Sequence, residues 1–343
     1  MFNPSRLTLA RLRLGLTRPK LANASGVSLR SITDYENAVR EPSDESLAKL
    51  AAALRVPLAF LDRDDIDPVP VRAASFRKLS KATVARRNAV LASAALTMEF
   101  FAEVEEHFQL PQPSIPTFDK CSPEQAADLV RHQWNLGERP VSNMLHLLES
   151  KGVRIASLNH DYSDIDAFCF YRDSIPYVFL NTGKSAERQR FDAAHELGHL
   201  VLHSDVDMEI NTSKDREAQA NAFASSFLMP SSAVLNQSMA GAGVERILAA
   251  RSFWKVSAMA MTHRLNELHL LSDWQYRSTC ITLSERGYRR SEPGGIVPET
   301  SQLLRKVLYG AGARLRVRDL AAELDVEPAE VREYVRHLVP LSA

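Results

Sequence analysis

The pentamer His195-Glu196-Leu197-Gly198-His199 constrains this chain more than any other segment. On an α-helix, residues four apart lie about 6 Å apart along the axis and about 40° apart around it, so both imidazoles face one point and can share a Zn²⁺. Glu196 stands beside that point rather than on it, where a general base for an activated water must be. In FDAAHELGHLVLH, Ala194, Leu197, Leu200 and Val201 make an apolar surface behind the histidines, as a buried helix needs. Gly198 costs such a helix about 1 kcal/mol relative to Ala, an expense that points to close approach of another backbone.

A catalytic zinc takes a third protein donor and keeps one position open. Glu217 is the first candidate, because REAQANAFASSFLMP reads as a second amphipathic helix on which Glu217, Ala220 or Asn221, and Ala224 share a face. The small residues at 220 and 224 let that helix approach the first. Glu209, in the intervening loop, is the alternative, and His203, at i+8 from His195, reads as a residue supporting the ligands. Mn²⁺ or another divalent ion suits the same donors. Tyr177, His160 and His203 are open alternatives for an oxyanion partner, and IPYVFLN is the expected sheet edge for an extended substrate.

At 343 residues the chain exceeds one typical domain, and 45% hydrophobic with 24% charged residues excludes a disordered, collagen-like or disulfide-scaffold chain. Cys121, Cys169 and Cys280 are too few for a disulfide framework, which fits a reducing cytosol, and Cys169 reads as a small buried apolar residue. No stretch approaches the roughly 20 apolar residues of a membrane span, and the N-terminal segment lacks the apolar run of a secretory signal. The expected location is cytoplasmic, with no membrane partner.

Secondary-structure signals predict a mainly α (α+β) protein in four parts. Residues 1–67 read as a head of four to five helices in which Thr17, Ser28 and Ser43 cap helices and Gly26 turns between two of them. Residues 68–118 read as a helical connector ending in the Pro-rich QLPQPSIP, and 119–275 as a helical domain with about three strands (VRIASL, DAFCFY, IPYVFLN). Residues 276–343 read as an extension, irregular from Cys280 to Ser301, then two amphipathic helices. The last of these, at 317–338, suggest packing or oligomerisation rather than DNA contact. The total charge of zero hides a head with nine basic and five acidic side chains in its first 60 residues, a net +4 that suits phosphate contact.

RFDAAHELGHLVLH followed by EAQANAFASSFLMP resembles the ImmA/IrrE family of zinc metallopeptidases, with supporting similarity in EQAADLVRHQWNLGERPVSNMLHLLESKGVRI, IPYVFLNT, VSAMAMTHRLNELHLLS and ERGYRRSEPG, over about 121–295. The resemblance implies a zincin-like domain with His195, His199 and Glu217 as zinc ligands, Glu196 as the catalytic carboxylate, and helix-turn-helix repressors as substrates. Cutting such a repressor or antitoxin would release stress, defence or mobile-element genes. RLRLGLTRPKLANASGVSLRSITDYENAVREPSDESLAKLAAAL resembles the Xre/phage-repressor helix-turn-helix family, of lambda-repressor-like fold. That resemblance implies double-stranded operator DNA as a partner, Ser28, Arg30, Ser31 and Thr33 as base readers, Arg13, Thr17 and Arg18 on phosphates, and a homodimer on a palindromic site. Arg18-Pro19 stands where that family usually has Gln after the Thr. The competing expectation is a non-proteolytic regulator or antitoxin whose peptidase-like domain serves as a sensor or protein-binding module.

Overall fold

A computed structural model describes residues 1–67, 69, 83–118, 120–158, 165–203, 213–289, 291–310 and 315–340. Among these residues the chain is mainly helical, with sixteen α-helices and one three-stranded sheet. It divides into two compact units, neither continuous in sequence. The first takes Met1–Leu110, Ala156–Ile165 and Leu303–Ala343; the second takes Pro111–Ile155 and Asp166–Gln302.

The first unit opens with α1 (Pro4–Arg13), α2 (Arg18–Ser25), α3 (Leu29–Glu36) and α4 (Asp44–Leu54). Thr17, Ser28 and Ser43 are the N-caps of α2, α3 and α4, their side chains accepting from the N–H groups of Lys20, Ser31 and Ser46. Each thereby satisfies a donor that the helix itself leaves unpaired. Gly26 ends α2 at φ +71°, a conformation that costs glycine little. Leu7, Leu21, Ile32, Leu50, Leu54 and Phe60 are wholly buried and form the core of this head, closed by a short 3-10 turn, Leu58–Asp62. α5 (Val84–His107) is apolar on nearly every side, from Ala89 to Val104, so it needs cover all round. α1 covers part of it, with buried Arg6 donating to both oxygens of Glu99 at 3.0 and 2.7 Å.

The second unit begins with α6 (Pro123–Gln133), opened by a Ser122–Gln125 capping box, and α7 (Met144–Ser150). The strands are β1 (Arg154–Ser157), β2 (Ala167–Arg172) and β3 (Ile175–Leu180), in the order β1-β3-β2. β2 runs antiparallel to β3, pairing Phe168 with Phe179 and Phe170 with Tyr177, whose rings stack at 4.7 and 5.6 Å. IPYVFLN is therefore the central strand, not the edge expected of it. Its main-chain groups already serve two neighbours, and the outer strands are β1 and β2.

Helices α8 (Ala186–Leu202), α9 (Ser213–Leu228), α10 (Ser231–Leu235), α11 (Val244–Trp254), α12 (Ala258–Glu267) and α13 (Asp273–Glu285) complete this unit. α13 runs through Cys280, where the sequence suggests irregular chain: a Ser272–Gln275 capping box starts it, and Thr279 and Leu283 bury one face. The irregular stretch that follows is anchored by carboxylates. Glu292 accepts from Ala258 N–H at 3.3 Å and pairs with buried Arg251 at 3.1 Å, beneath whose guanidinium lies the Tyr288 ring.

After Gln302 the chain rejoins the first unit with three helices where two were expected: α14 (Gln302–Tyr309), α15 (Val317–Glu323) and α16 (Pro328–Tyr334). α15 and α16 pack on each other, and α15 packs on α5. Tyr334 stacks at a tilt on Phe100, 5.7 Å between ring centres, and Glu330 pairs with Arg13 at 2.6 Å. The hairpin thus packs within its unit. Among the described residues no helix is long and apolar enough to cross a membrane.

Candidate functional site

α8 and α9 touch along most of their length, and Gly198 explains how. A Cβ added there would stand 3.1 Å from Phe223 Cδ1 and 3.2 Å from both Cα and O of Ala220. Two of those neighbours are backbone, so a methyl group has to push the helices apart. Gly198→Ala is expected to lower stability by about 1–2 kcal/mol despite alanine's better helix propensity. Denaturant unfolding checks this; a gain of about 1 kcal/mol, the bare propensity difference, would contradict the close approach.

This contact brings three side chains together. His195 Nε2 and His199 Nε2 lie 3.1 Å apart, and Glu217 places Oε2 at 3.5 Å from the first and Oε1 at 3.4 Å from the second. Supporting hydrogen bonds set the histidine tautomers. His195 Nδ1–H donates to Asn221 Oδ1 at 3.0 Å. His199 Nδ1–H donates to His203 Nδ1 at 3.0 Å, and His203 Nε2–H donates to Gln219 Oε1 at 2.8 Å. In this arrangement the two Nε2 atoms face each other with the Glu217 carboxylate beside them. Four bonds of about 2.0–2.1 Å to a tetrahedral ion put its donors about 3.3 Å apart, so the spacing and donor types fit Zn²⁺ or a similar divalent ion.

The electrostatics agree. Burial pushes His199 down to about 4, keeping it neutral. Burial raises Glu217, but hydrogen bonds from His195 and His199 and positive charge on His195 outweigh it and hold the carboxyl well below its ordinary value. For His195 burial lowers and the Glu217 hydrogen bond with nearby acidic charge raises, the net being upward. The cluster therefore attracts positive charge. Glu196, buried on the same helix, receives the Cys169 Sγ–H on its backbone carbonyl at 3.5 Å. Cys169 is buried in β2, and Tyr177 is buried in the sheet against Phe170. Glu209 and His160 lie outside the described residues.

Asn221 and Gln219 hydrogen-bond the histidine rings, and neither is singled out as a histidine support by the sequence. The one signal is spacing: Asn221 follows Glu217 by four, one helical turn along the same face. Asn221 also borders a cleft of about 780 Å³ lined by Phe191, Ser225, His263, Tyr276 and Tyr288 among others. Beneath α8, fully buried Arg190 pairs with Glu299 and donates to Val141 O, while Glu299 Oε2 accepts from Met144 N–H at 2.7 Å and Leu145 N–H at 3.3 Å. One carboxylate thus ties α8 to the start of α7.

In the first unit, α2, the Gly26 turn and α3 form the helix-turn-helix. Arg30 is exposed on α3. Ser28 and Ser31 bond each other through their hydroxyls at 2.9 Å, and Thr33 Oγ1–H donates to Leu29 O at 2.8 Å. Thr17 is exposed at its cap, and Arg18 is partly exposed with Nε 2.6 Å from Glu36. Arg13 differs from its expected place on a phosphate: it is 6% exposed, and its guanidinium is held by Glu330 and by Leu54 O at 2.8 Å. Removing it from these partners would leave Glu330 buried without a cation.

Residues 148–266 match the Peptidase_M78 family, the IrrE N-terminal-like domain, and residues 7–61 match the HTH_3 helix-turn-helix family. No curated protein matches the chain. The two matches support a DNA-binding regulator carrying an IrrE-like peptidase domain.

Proposed function

We propose that this chain, an IrrE-like member of the Peptidase_M78 family over 148–266 with a helix-turn-helix segment over 7–61, is a DNA-binding regulatory zinc endopeptidase that cuts an Xre-type repressor or antitoxin. The observation that carries this reading is the convergence of His195 Nε2, His199 Nε2 and a Glu217 carboxylate held anionic. His195, His199 and Glu217 would hold the ion, zinc or a comparable divalent cation. When bound, the ion supplies Lewis acidity toward water and toward a peptide carbonyl.

The chain's own groups do the rest. Glu196 accepts the proton from the attacking water and returns it to the leaving amine. Asn221 and the His203–Gln219 pair keep the imidazoles oriented, as ligand supports generally do. An extended substrate adds to the outer edge of β2, the outer strand packed on α8, and side chains flanking the scissile bond enter the cleft beside Asn221. Cleavage releases genes held by the repressor, and a pair of chains on a palindromic operator places the enzyme near its target.

The test is incubation of zinc-loaded chain with helix-turn-helix repressors encoded beside its own gene, against a His195→Ala/His199→Ala control. Cutting at one bond by the zinc-loaded chain alone is expected; intact repressors in both reactions would sink the proposal. On the DNA side, Arg30→Ala is expected to weaken operator binding by about 1–3 kcal/mol and to relax specificity at the base it reads, with the salt slope unchanged. Fluorescence anisotropy over a salt series checks this, and unchanged affinity would remove α3 from the groove.

A further inference from the structure

The first unit holds a second group of metal donors, far in sequence from the first. Glu103 and His107 lie one turn apart at the end of α5, and Glu323 is the last residue of α15. Single donor atoms of the three lie within 4.8 Å of one another. His107 Nε2 is 3.6 Å from Glu103 Oε1 and 3.4 Å from Glu323 Oε2. Both separations exceed a good N–H···O hydrogen bond, so the nitrogen is well bonded to neither carboxylate. Both sit close to the edge of about 3.3 Å expected between donors on a tetrahedral zinc, as do the separations at the α8–α9 cluster.

A second, independent observation is electrostatic. α5 and α15 both end at this place, so the negative ends of two helices meet there, and each end favours a cation. Two carboxylates add to that potential. Arg63, whose guanidinium donates to the backbone carbonyl of Glu323, is engaged by Glu99 and Asp325 as well. Among the described residues, no lysine or arginine pairs with the carboxylate of Glu103 or Glu323. The site is half-exposed, open to an ion from solvent and to water as a further ligand.

We propose that Glu103, His107 and Glu323 form a second divalent-metal site, of the zinc class by its imidazole and carboxylate donors, which staples α15 to α5. Its bond joins the C-terminal hairpin to the long helix that packs on α1, so metal supply sets the rigidity of the unit carrying the helix-turn-helix. This does not rest on the peptidase reading.

The test uses the full chain stripped of metal and titrated with zinc alone. The His195→Ala/His199→Ala chain is expected to retain one equivalent after gel filtration and to gain thermal stability on adding zinc. Adding His107→Ala, or in a separate chain Glu323→Gln, is expected to abolish both effects; these half-exposed positions carry no core packing. Circular dichroism matching the parent keeps loss of fold distinct from loss of metal. The proposal is overturned if the His195→Ala/His199→Ala chain binds no zinc, or if its equivalent survives His107→Ala and Glu323→Gln. Failure of the peptidase reading leaves a different signature, a parent chain whose zinc content is unchanged by His195→Ala/His199→Ala.

Discussion

Glu196→Gln is expected to slow peptide-bond cleavage by about 10²–10⁴-fold while zinc content and fold stay those of the parent. The substitution keeps volume and hydrogen-bonding capacity in a pocket where Glu196 is only 3% exposed, and removes only the basic carboxylate. The ligand geometry rests on other groups: Asn221 on His195, His203 on His199, and Glu217 between the two Nε2 atoms. A chain that binds metal but does not cut is therefore the specific signature of a lost base, whereas a structural role for Glu196 would lower metal content as well. Single-turnover cleavage alongside metal analysis separates the two. Cleavage within tenfold of the parent would place the proton acceptor elsewhere.

Arg190→Met is expected to destabilise the second unit by about 3–5 kcal/mol, the usual cost of leaving a buried charge without its partner. The Arg190 side chain is 0% exposed and Glu299 only 10%, so water cannot replace the lost guanidinium. The same carboxylate caps α7 through Met144 and Leu145, which ties the loss to two helices. Changing both partners, Arg190→Met with Glu299→Gln, is expected to recover a good part of the deficit, because no uncompensated charge remains. Urea unfolding of the four chains forms the cycle. A single-variant loss under 1 kcal/mol would show the pair to be hydrated or replaced by a nearby cation.

Local chemistry made much of the first unit legible. Thr17, Ser28 and Ser43 cap helices because each is a short polar side chain followed by helix formers, and that information lies within a few residues. The candidate metal centre was legible for the same reason, since the spacing of four that aligns His195 with His199 is a property of one helix. Even the partner helix left a trace, in a glycine that no isolated helix favours. For Asn221 the spacing of four from Glu217 marks only a shared helix face, and its meeting with His195 comes from the packing of α9 on α8.

The readings that needed correction depend on distant partners. Strand order is invisible in strand composition, so IPYVFLN reads as an edge in the sequence; only the pairing with β2 on one side and the place of β1 on the other put it in the middle. Arg13 looked like a phosphate ligand because a basic side chain in a basic head is one until Glu330, 317 positions away, claims it. The sequence suggests irregular chain from Cys280 because the helix there is supported by the tertiary burial of Thr279 and Leu283 and is only weakly advertised by its own residues.

By itself the sequence determined the helix starts, the helix-turn-helix, the histidine pair and the closeness of a second helix at Gly198, all of them set by interactions spanning a few turns. Tertiary structure alone decided which amide meets those histidines, which strand is central, and that the C-terminal hairpin rejoins α5 beside the N-terminal head. The division follows from the range of the forces. Capping and helical spacing act along the chain, whereas burial and ion pairing act through space and carry no mark of the distance in sequence that they bridge.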